Sequence, residues 1–311
     1  MKSIIIPVYK NEENITHLLE TLQDIKKKIK GKVEVIFVVD GSPDKSYALL
    51  NEQLPNSGLN AKLIALSRNF GSFSAIKKGL EIAEGEYFSV MAADLQEPPE
   101  LLLESFEILD TKEYDIVVGT RDARDDPFMS KLSSQLFWYL FKKFIVPEMP
   151  AGGVDIFSCN RDFRAQLLNM DESHSSLIAQ IFWLGFRRKI IFYKRLERLH
   201  GESGWTLKKK VNYMMDSVFS FTDLPIKMLS RIGLFGMIFF ILLGTATFLS
   251  KLFGWIETPG YTTTFLTIGF FGTMNLFGLG IVGSYTWRTY ENTKHRQNAI
   301  CMSKKSFNSS S

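Results

Sequence analysis

The amino-acid sequence predicts an α/β protein, with a mostly parallel, doubly wound sheet over its first 200 residues and an apolar helical appendage after it. Three observations predict this. Short apolar strands alternate with helically spaced apolar segments through residues 3–119. Each strand runs into a polar cluster rich in turn-forming residues. Two stretches without charge, residues 232–249 and 258–287, gather apolar side chains near the C-terminus. Strand–helix alternation is the signature of parallel sheets with crossover helices. Such sheets bind ligands at the carboxyl ends of their strands.

Composition narrows the class. The 311 residues leave room for one large α/β domain and an appendage. With 45% hydrophobic and 23% charged residues, disordered and collagen-like classes are excluded. A mean hydropathy of +0.00 is high for so charged a chain, so the apolar residues must be concentrated. Lys and Arg total 37 against 33 Asp and Glu, and a net charge of +4 gives no ground for a nucleic-acid partner. Cys159 and Cys301 have neither metal-like spacing nor a disulfide framework, which suits a reducing compartment. The opening Met-Lys-Ser-Ile-Ile-Ile-Pro is too short an apolar run for a secretory signal and reads as a strand.

The elements follow in order. Residues 3–8 are a short apolar strand. Ile15, Leu18, Leu19, Leu22, Ile25 and Ile29 recur at helical spacing and predict an amphipathic helix. Residues 33–39 are a second strand, ending in Asp40-Gly41-Ser42-Pro43-Asp44. Residues 62–67 form a third, followed by a loop and a helix through Ile76, Leu80 and Ala83. Residues 87–92 form a fourth, reaching Asp94, with Pro98-Pro99-Glu100 opening the next helix. Residues 115–119 are a fifth.

Beyond residue 203 the pattern changes. Val211, Met214, Met215, Val218 and Phe219 share one helical face, opposite Lys208, Lys209, Asn212 and Asp216. That suits a helix lying in a membrane interface, or equally a core-facing amphipathic helix. The two charge-free stretches each reach the roughly 20 residues a helix needs to cross a hydrocarbon core. Lys208, Lys209, Lys210, Lys227 and Arg231 precede the first, and Arg288, Lys294, Arg296, Lys304 and Lys305 follow the second. The connector at 251–261 carries one Lys and one Glu. The positive-inside bias then puts both long ends in the cytoplasm, with Trp255, Tyr261, Tyr285 and Trp287 suited to the interfaces.

Several residues could carry chemistry. Asp94 and Gln96, two apart at a strand end, offer oxygen ligands to one hard cation such as Mg²⁺ or Mn²⁺. Capping of the following helix explains Asp94 as simply. Asp40 and Asp44 suit a ribose or base, or an Asx turn. Arg68-Asn69-Phe70-Gly71 could face a diphosphate. Arg121, Arg124, Lys131, Arg195 and Arg198 supply cations for phosphate. Asp155 follows Ala151-Gly152-Gly153, glycines that permit close backbone approach.

The order of these clusters is more specific than any one of them. Pro7-Val8-Tyr9, Asp40-Gly41-Ser42-Pro43-Asp44, Arg68-Asn69-Phe70-Gly71, Asp94-Leu95-Gln96-Glu97-Pro98-Pro99-Glu100 and Val118-Gly119-Thr120-Arg121 form a series. It resembles the inverting family 2 glycosyltransferases with a GT-A fold. Within them it resembles the polyprenyl-phosphate glycosyltransferases, a group that includes dolichol-phosphate mannose synthases and bactoprenol glucosyltransferases. Arg198-Leu199-His200-Gly201-Glu202-Ser203, ahead of two apolar stretches, matches that subgroup. The resemblance covers residues 1 to 296.

The resemblance implies a cytoplasmic GT-A domain at 1–203, interfacial helices at 204–230, two transmembrane helices at 231–287 and a cytoplasmic tail at 288–311. It implies a multi-pass protein of the cytoplasmic (inner) membrane. The activity implied is inverting transfer of a sugar from a nucleotide sugar, UDP-glucose first, to polyprenyl (undecaprenyl) phosphate. A hydroxyl acceptor on a glycolipid or sugar, or an inactive nucleotide-sugar-binding scaffold, are the alternatives. The partners are the donor, the lipid phosphate and the bilayer, with no nucleic acid, and homo-oligomerisation stays open. Pro7, Tyr9, Asn11, Asp40, Asn69, Ala92 and Ala93 would line the nucleotide site. Asp94 and Gln96 would hold the divalent cation, Mg²⁺ or Mn²⁺. Asp155 and Asp94 would be the catalytic carboxylates, and Arg121, Lys131, Arg198 and Ser203 would hold the lipid phosphate. Three departures lower the local negative charge: Ala92 where the family often has the first Asp of Asp-x-Asp, Val39 where a paired Asp is common, and Asn11 where Glu is frequent.

Overall fold

The computed structural model of the chain describes residues 1–122, 142, 146–150, 153–170, 172, 175–196, 207–253, 260–294 and 296–308. The chain divides into two compact units, Met1–Tyr213 with Arg296–Ser311, and Met214–His295.

The first unit is a sheet flanked by helices. Its strands are β1 (Lys2–Val8), β2 (Val33–Val39), β3 (Ala61–Leu66), β4 (Tyr87–Val90), β5 (Ile116–Arg121), β6 (Ile156–Asn160), β7 (Arg188–Tyr193) and β8 (Cys301–Phe307). Its helices are α1 (Ile15–Lys28), α2 (Ser46–Gln53), α3 (Ser72–Ile82), α4 (Pro99–Asp110), α5 (Arg161–Asn169) and α6 (Leu177–Trp183). The strand order is β7-β5-β6-β4-β1-β2-β3-β8. β6 and β8 run against their neighbours and every other pairing is parallel. This is an α/β fold with a mixed, mostly parallel sheet.

The apolar patterning explains the packing. β2 is buried along its whole length, as a strand covered on both faces must be. Ile4, Ile6, Val35 and Phe37 join Ile15, Leu18, Leu22 and Ile25 of α1 in one core. On the other face, α3 brings Gly79 against Ile5 and Val38. The one acidic residue of β2, Glu34, is buried with Ser3 Oγ 2.6 Å from Oε1 and Lys62 Nζ 3.1 Å from Oε2. From β1 the chain moves outward through β2 and β3, then crosses to the opposite side of β1 for β4. The carboxyl ends of β1 and β4 therefore flank a switch point, where open α/β sheets bind ligands.

Residues 288–311, expected as a tail, instead finish a helix and then form β8, which pairs antiparallel with β3. Tyr47 Oη lies 3.2 Å from Ser303 Oγ and Lys305 Nζ donates to Asn51 Oδ1 at 2.7 Å, which fix the strand from α2. Lys304 and Lys305 are exposed on this terminal strand, and charged side chains of that kind commonly protect a sheet edge.

The second unit is helical and is built from α7 (Leu207–Phe221), which begins in the first unit, α8 (Leu224–Leu252) and α9 (Tyr261–Thr293). Pro225 sits in the first turn of α8, where its missing N–H costs nothing. Arg288 of α9 donates to Asp216 of α7 at 2.8 Å and lies over the Phe219 ring, and Phe219 meets Tyr285 edge-on. Leu229 packs over Gly278, and Gly236 faces Met274, so small residues let α8 and α9 approach. Among the described residues, no helix is long and apolar enough to cross a membrane. The expected stretch at 232–249 falls on α8, where the side chains of Met237, Phe240, Ile241, Leu243 and Phe248 lie outside the described residues.

Candidate active site

Two clusters form where the strands end. The first joins the loops after β1, β2 and β3. Asp40, 2% exposed, accepts the amide hydrogens of Phe70 at 2.7 Å and Gly71 at 2.8 Å, so one carboxylate shapes the loop after β3. Burial pushes its pKa above the ordinary carboxylate value, against the pull of those two amides. Gly41 has φ +56°, and a Cβ there would lie 2.3 Å from the Arg68 carbonyl carbon, so only glycine fits.

Asp44 binds the same loops together. Ser42 Oγ and Ser46 Oγ donate to it at 2.5 and 2.8 Å, and the Glu12 amide donates at 3.0 Å. Burial raises its pKa, but these donors together outweigh burial and hold it below the usual range. Lys10, at φ 56°, gives its amide to Ser42 Oγ at 2.8 Å, and the Asn11 amide reaches Ser46 Oγ at 3.1 Å. An open cleft of about 280 Å³ lies here, lined by residues 10–14, Pro43 and Asp44.

The second cluster lies at the ends of β4, β5 and β7 and the start of β6. Leu95 adopts a left-handed conformation, φ 54°, rare for a bulky residue and common at functional turns. The turn brings Gln96 to Leu196, whose amide donates to the Gln96 carbonyl at 2.9 Å. The Gln96 side-chain oxygen accepts a hydrogen bond from Arg195. Across the cluster, Arg121 grips Asp155, and Tyr193 Oη donates to Asp155 Oδ2 at 2.7 Å. Burial, then the Asp155 charge, push the Tyr193 phenol above its ordinary value, so it is a donor at neutral pH. Glu97 is 4% exposed, and its Oε2 has no hydrogen-bond partner among the described residues. Burial first, then the charges of Asp94 and Asp155, push Glu97 up to about 7 against the pull of Arg195.

Among the described residues no group of three or more His, Cys, Asp or Glu side chains is gathered around a metal position. The donors at the end of β4 nevertheless fit a hard cation that takes one or two carboxylates and completes its shell with water and substrate phosphate. An orphaned, buried carboxylate oxygen beside other acids is the observation that favours this fit.

Most expected site residues fall into these two groups. Pro7, Tyr9, Asn11, Asp40 and Asn69 belong to the first. Asp94, Gln96, Arg121 and Asp155 belong to the second, whereas Ala93, expected at the nucleotide site, is buried in the core beside β1 and β2, and Ala92 precedes it in the loop after β4. Gln96, expected to face a cation beside Asp94, turns its amide oxygen to Arg195 instead. Lys131, Arg198 and Ser203, as well as Arg124, lie outside the described residues. Sequence reasoning missed Tyr193 and the isolation of Glu97. Adjacency to Gln96 was the one available signal for Glu97, and none pointed to Tyr193.

Comparison with known proteins places these features in a family. Residues 3–191 match the model of glycosyl transferase family 2. The chain is 34% identical over 294 residues to CsbB of Bacillus subtilis (strain 168), covering 94% of this chain and 89% of that protein. It is 26% identical over 303 residues to a bactoprenol glucosyl transferase of Shigella phage SfV, covering 97% and 98%. Among solved structures, a mannosyltransferase from Pyrobaculum calidifontis in complex with GDP-Man and Mn²⁺ aligns with a TM-score of 0.46 at 16% identity, covering 92% of this chain and 87% of that one.

Proposed function

This chain belongs to glycosyl transferase family 2, and on that premise we propose that it transfers a sugar from a nucleotide sugar to a polyprenyl phosphate at the cytoplasmic face of a membrane. The observation that carries the reading is the extent of the likeness to the phage bactoprenol glucosyl transferase. It runs through the apolar helices as well as the sheet domain. UDP-glucose is the donor this reading favours.

The loops after β1 to β3 suit the nucleotide, with Asn11 lining the cleft and Asp40 holding the loop that carries Asn69. Asp94 is the residue assigned to a divalent cation, with Gln96 turned toward Arg195. When bound, that cation neutralises the diphosphate leaving group. The acceptor needs little help to become a nucleophile, because a phosphate monoester loses its second proton at about pH 6. What remains is repulsion between two anions, which the guanidinium groups of Arg121 and Arg195 offset at the acceptor side. The acceptor oxygen bonds to the anomeric carbon as the bond to the nucleotide diphosphate breaks, and in-line attack inverts that carbon. Asp155, held by Arg121 and Tyr193, suits orientation of the sugar or acceptor better than proton abstraction.

The long helices support the membrane part of the proposal. Their described residues do not by themselves make either helix apolar enough to cross, but α8 and α9, 29 and 33 residues long, carry most of the charge-free stretches 232–249 and 258–287 on which the membrane reading rests. Phe235, Phe239 and Leu242 on α8, and Ile268, Leu276, Phe277 and Leu279 on α9, are each more than half exposed. Side chains of that kind are stable when the surrounding solvent is lipid.

Incubating membranes that contain the protein with undecaprenyl phosphate and a panel of nucleotide sugars, then weighing the lipid product, tests the reading. One nucleotide sugar is expected to yield a lipid heavier by one hexose and the phosphate retained. Transfer only to a hydroxyl acceptor, or none with any donor, would overturn it.

A further inference from the structure

We propose that Glu97 is the second carboxylate of the divalent-cation site, sharing the cation with Asp94 and replacing the carboxylate that Ala92 lacks. The inference rests on the reading above, in which a divalent cation held by this chain would neutralise the donor diphosphate. Three observations carry it. Glu97 is 4% exposed, and its Oε2 is buried with no hydrogen-bond partner among the described residues. A buried carboxylate oxygen without a donor is unfavourable, and native sites rarely leave one without a ligand or a purpose. Glu97 also lies within reach of the negative charges of Asp94 and Asp155 and of the positive charge of Arg195. Finally, the left-handed turn at Leu95 folds the chain back after Asp94, giving Glu97 a route to the cluster that an extended segment would not.

The chemistry is consistent with a small hard cation. Such an ion takes one or two carboxylates from a protein and fills the rest of its shell with water and substrate oxygens. In much of the family the strand end supplies Asp-x-Asp, whereas here Ala92-Ala93-Asp94 supplies one carboxylate. Glu97, three positions after Asp94 in the sequence, restores the count. The engagement of Gln96 with Arg195 leaves that position to Glu97.

The test uses the full-length protein in detergent with UDP present, titrated with Mn²⁺ and read by electron paramagnetic resonance of the free ion. Glu97→Gln is expected to weaken Mn²⁺ binding by about tenfold or more, since even outer-shell partners of a metal are worth that much. Adding Ala92→Asp to that variant is expected to recover most of the affinity. Wild-type protein that binds no Mn²⁺ in the presence of UDP would overturn the metal reading and this inference with it. Wild-type binding that Glu97→Gln leaves unchanged would overturn the inference alone.

Discussion

Arg121 and Asp155 meet as a two-pronged ion pair, with Nε 2.5 Å from Oδ2 and Nη2 2.7 Å from Oδ1, and Tyr193 adds a third donor to Oδ2. Three donors on two oxygens fix the carboxylate in place. Arg121→Lys keeps the charge but loses the fork. It is expected to lower kcat/KM by about 100-fold, the scale of losing one aligned electrostatic partner. The pH–rate profile should keep its wild-type shape. A loss of about tenfold or more in Asp155→Asn, with a wild-type profile that follows one carboxylate, would instead identify Asp155 as a general base and favour a hydroxyl acceptor.

Asp94 is expected to matter for chemistry and not for folding. Asp94→Ala should lower transfer by at least about 100-fold, while its melting temperature and membrane extraction match wild type. Near-normal turnover by the purified variant would remove Asp94 from the cation site.

Asp40 is expected to act mainly through the loop it holds. Asp40→Ala leaves the amides of Phe70 and Gly71 without their acceptor, which should destabilise the protein by roughly 1–3 kcal/mol. Asp40→Asn keeps one carbonyl acceptor and should fall between. Urea unfolding of the three proteins in detergent measures the order, and equal midpoints would show that the loop stands without this carboxylate.

The parts of this fold that the sequence displays are those set by local patterning. β1 to β5 are visible because each is a short apolar run ended by turn residues, and α1 because its apolar residues recur at helical spacing. β8 is hidden for the opposite reason. Its composition is polar, and it becomes a strand only because the edge of β3, more than 230 positions earlier, offers hydrogen bonds. The site divides in the same way. Asp94 and Asp155 stand at strand ends or beside glycines, where local sequence flags them. The isolation of Glu97 and the hydroxyl of Tyr193 on Asp155 follow from tertiary burial, which no spacing encodes.

Asp115 should govern part of the acid stability. It accepts from Arg187 Nε at 2.9 Å and Nη2 at 2.8 Å, and from Asn160 Nδ2 at 3.0 Å, joining the ends of β5, β6 and β7. The Arg187 hydrogen bonds, working against burial, hold its pKa below the ordinary value. A carboxylate depressed in the folded state contributes stability above its unfolded value of about 3.9, and that stability is lost as pH falls through the folded value. Asp115→Asn should therefore be less stable than wild type at neutral pH, and the gap should narrow below about pH 4. Melting temperatures measured across that range check it, and a gap independent of pH would show that shape, not charge, is what Asp115 contributes.

The two cysteines provide an orientation probe that needs no engineering. Cys301 is exposed on β8, whereas Cys159 is buried, with burial pushing its thiol far above the ordinary value. A thiol so shielded reacts slowly, so a maleimide should modify Cys301 alone. Because β8 pairs with β3, labelling of Cys301 reports the side of the membrane that holds the sheet domain. If, as proposed, α8 and α9 form a membrane hairpin with both long ends cytoplasmic, a membrane-impermeant maleimide should leave Cys301 unmodified in intact cells and label it fully in inside-out vesicles. The Cys301→Ser protein should stay unlabelled in both, which assigns the signal. Full labelling in intact cells would put the sheet domain outside, away from any cytoplasmic nucleotide sugar, and the proposed reaction would lose its donor.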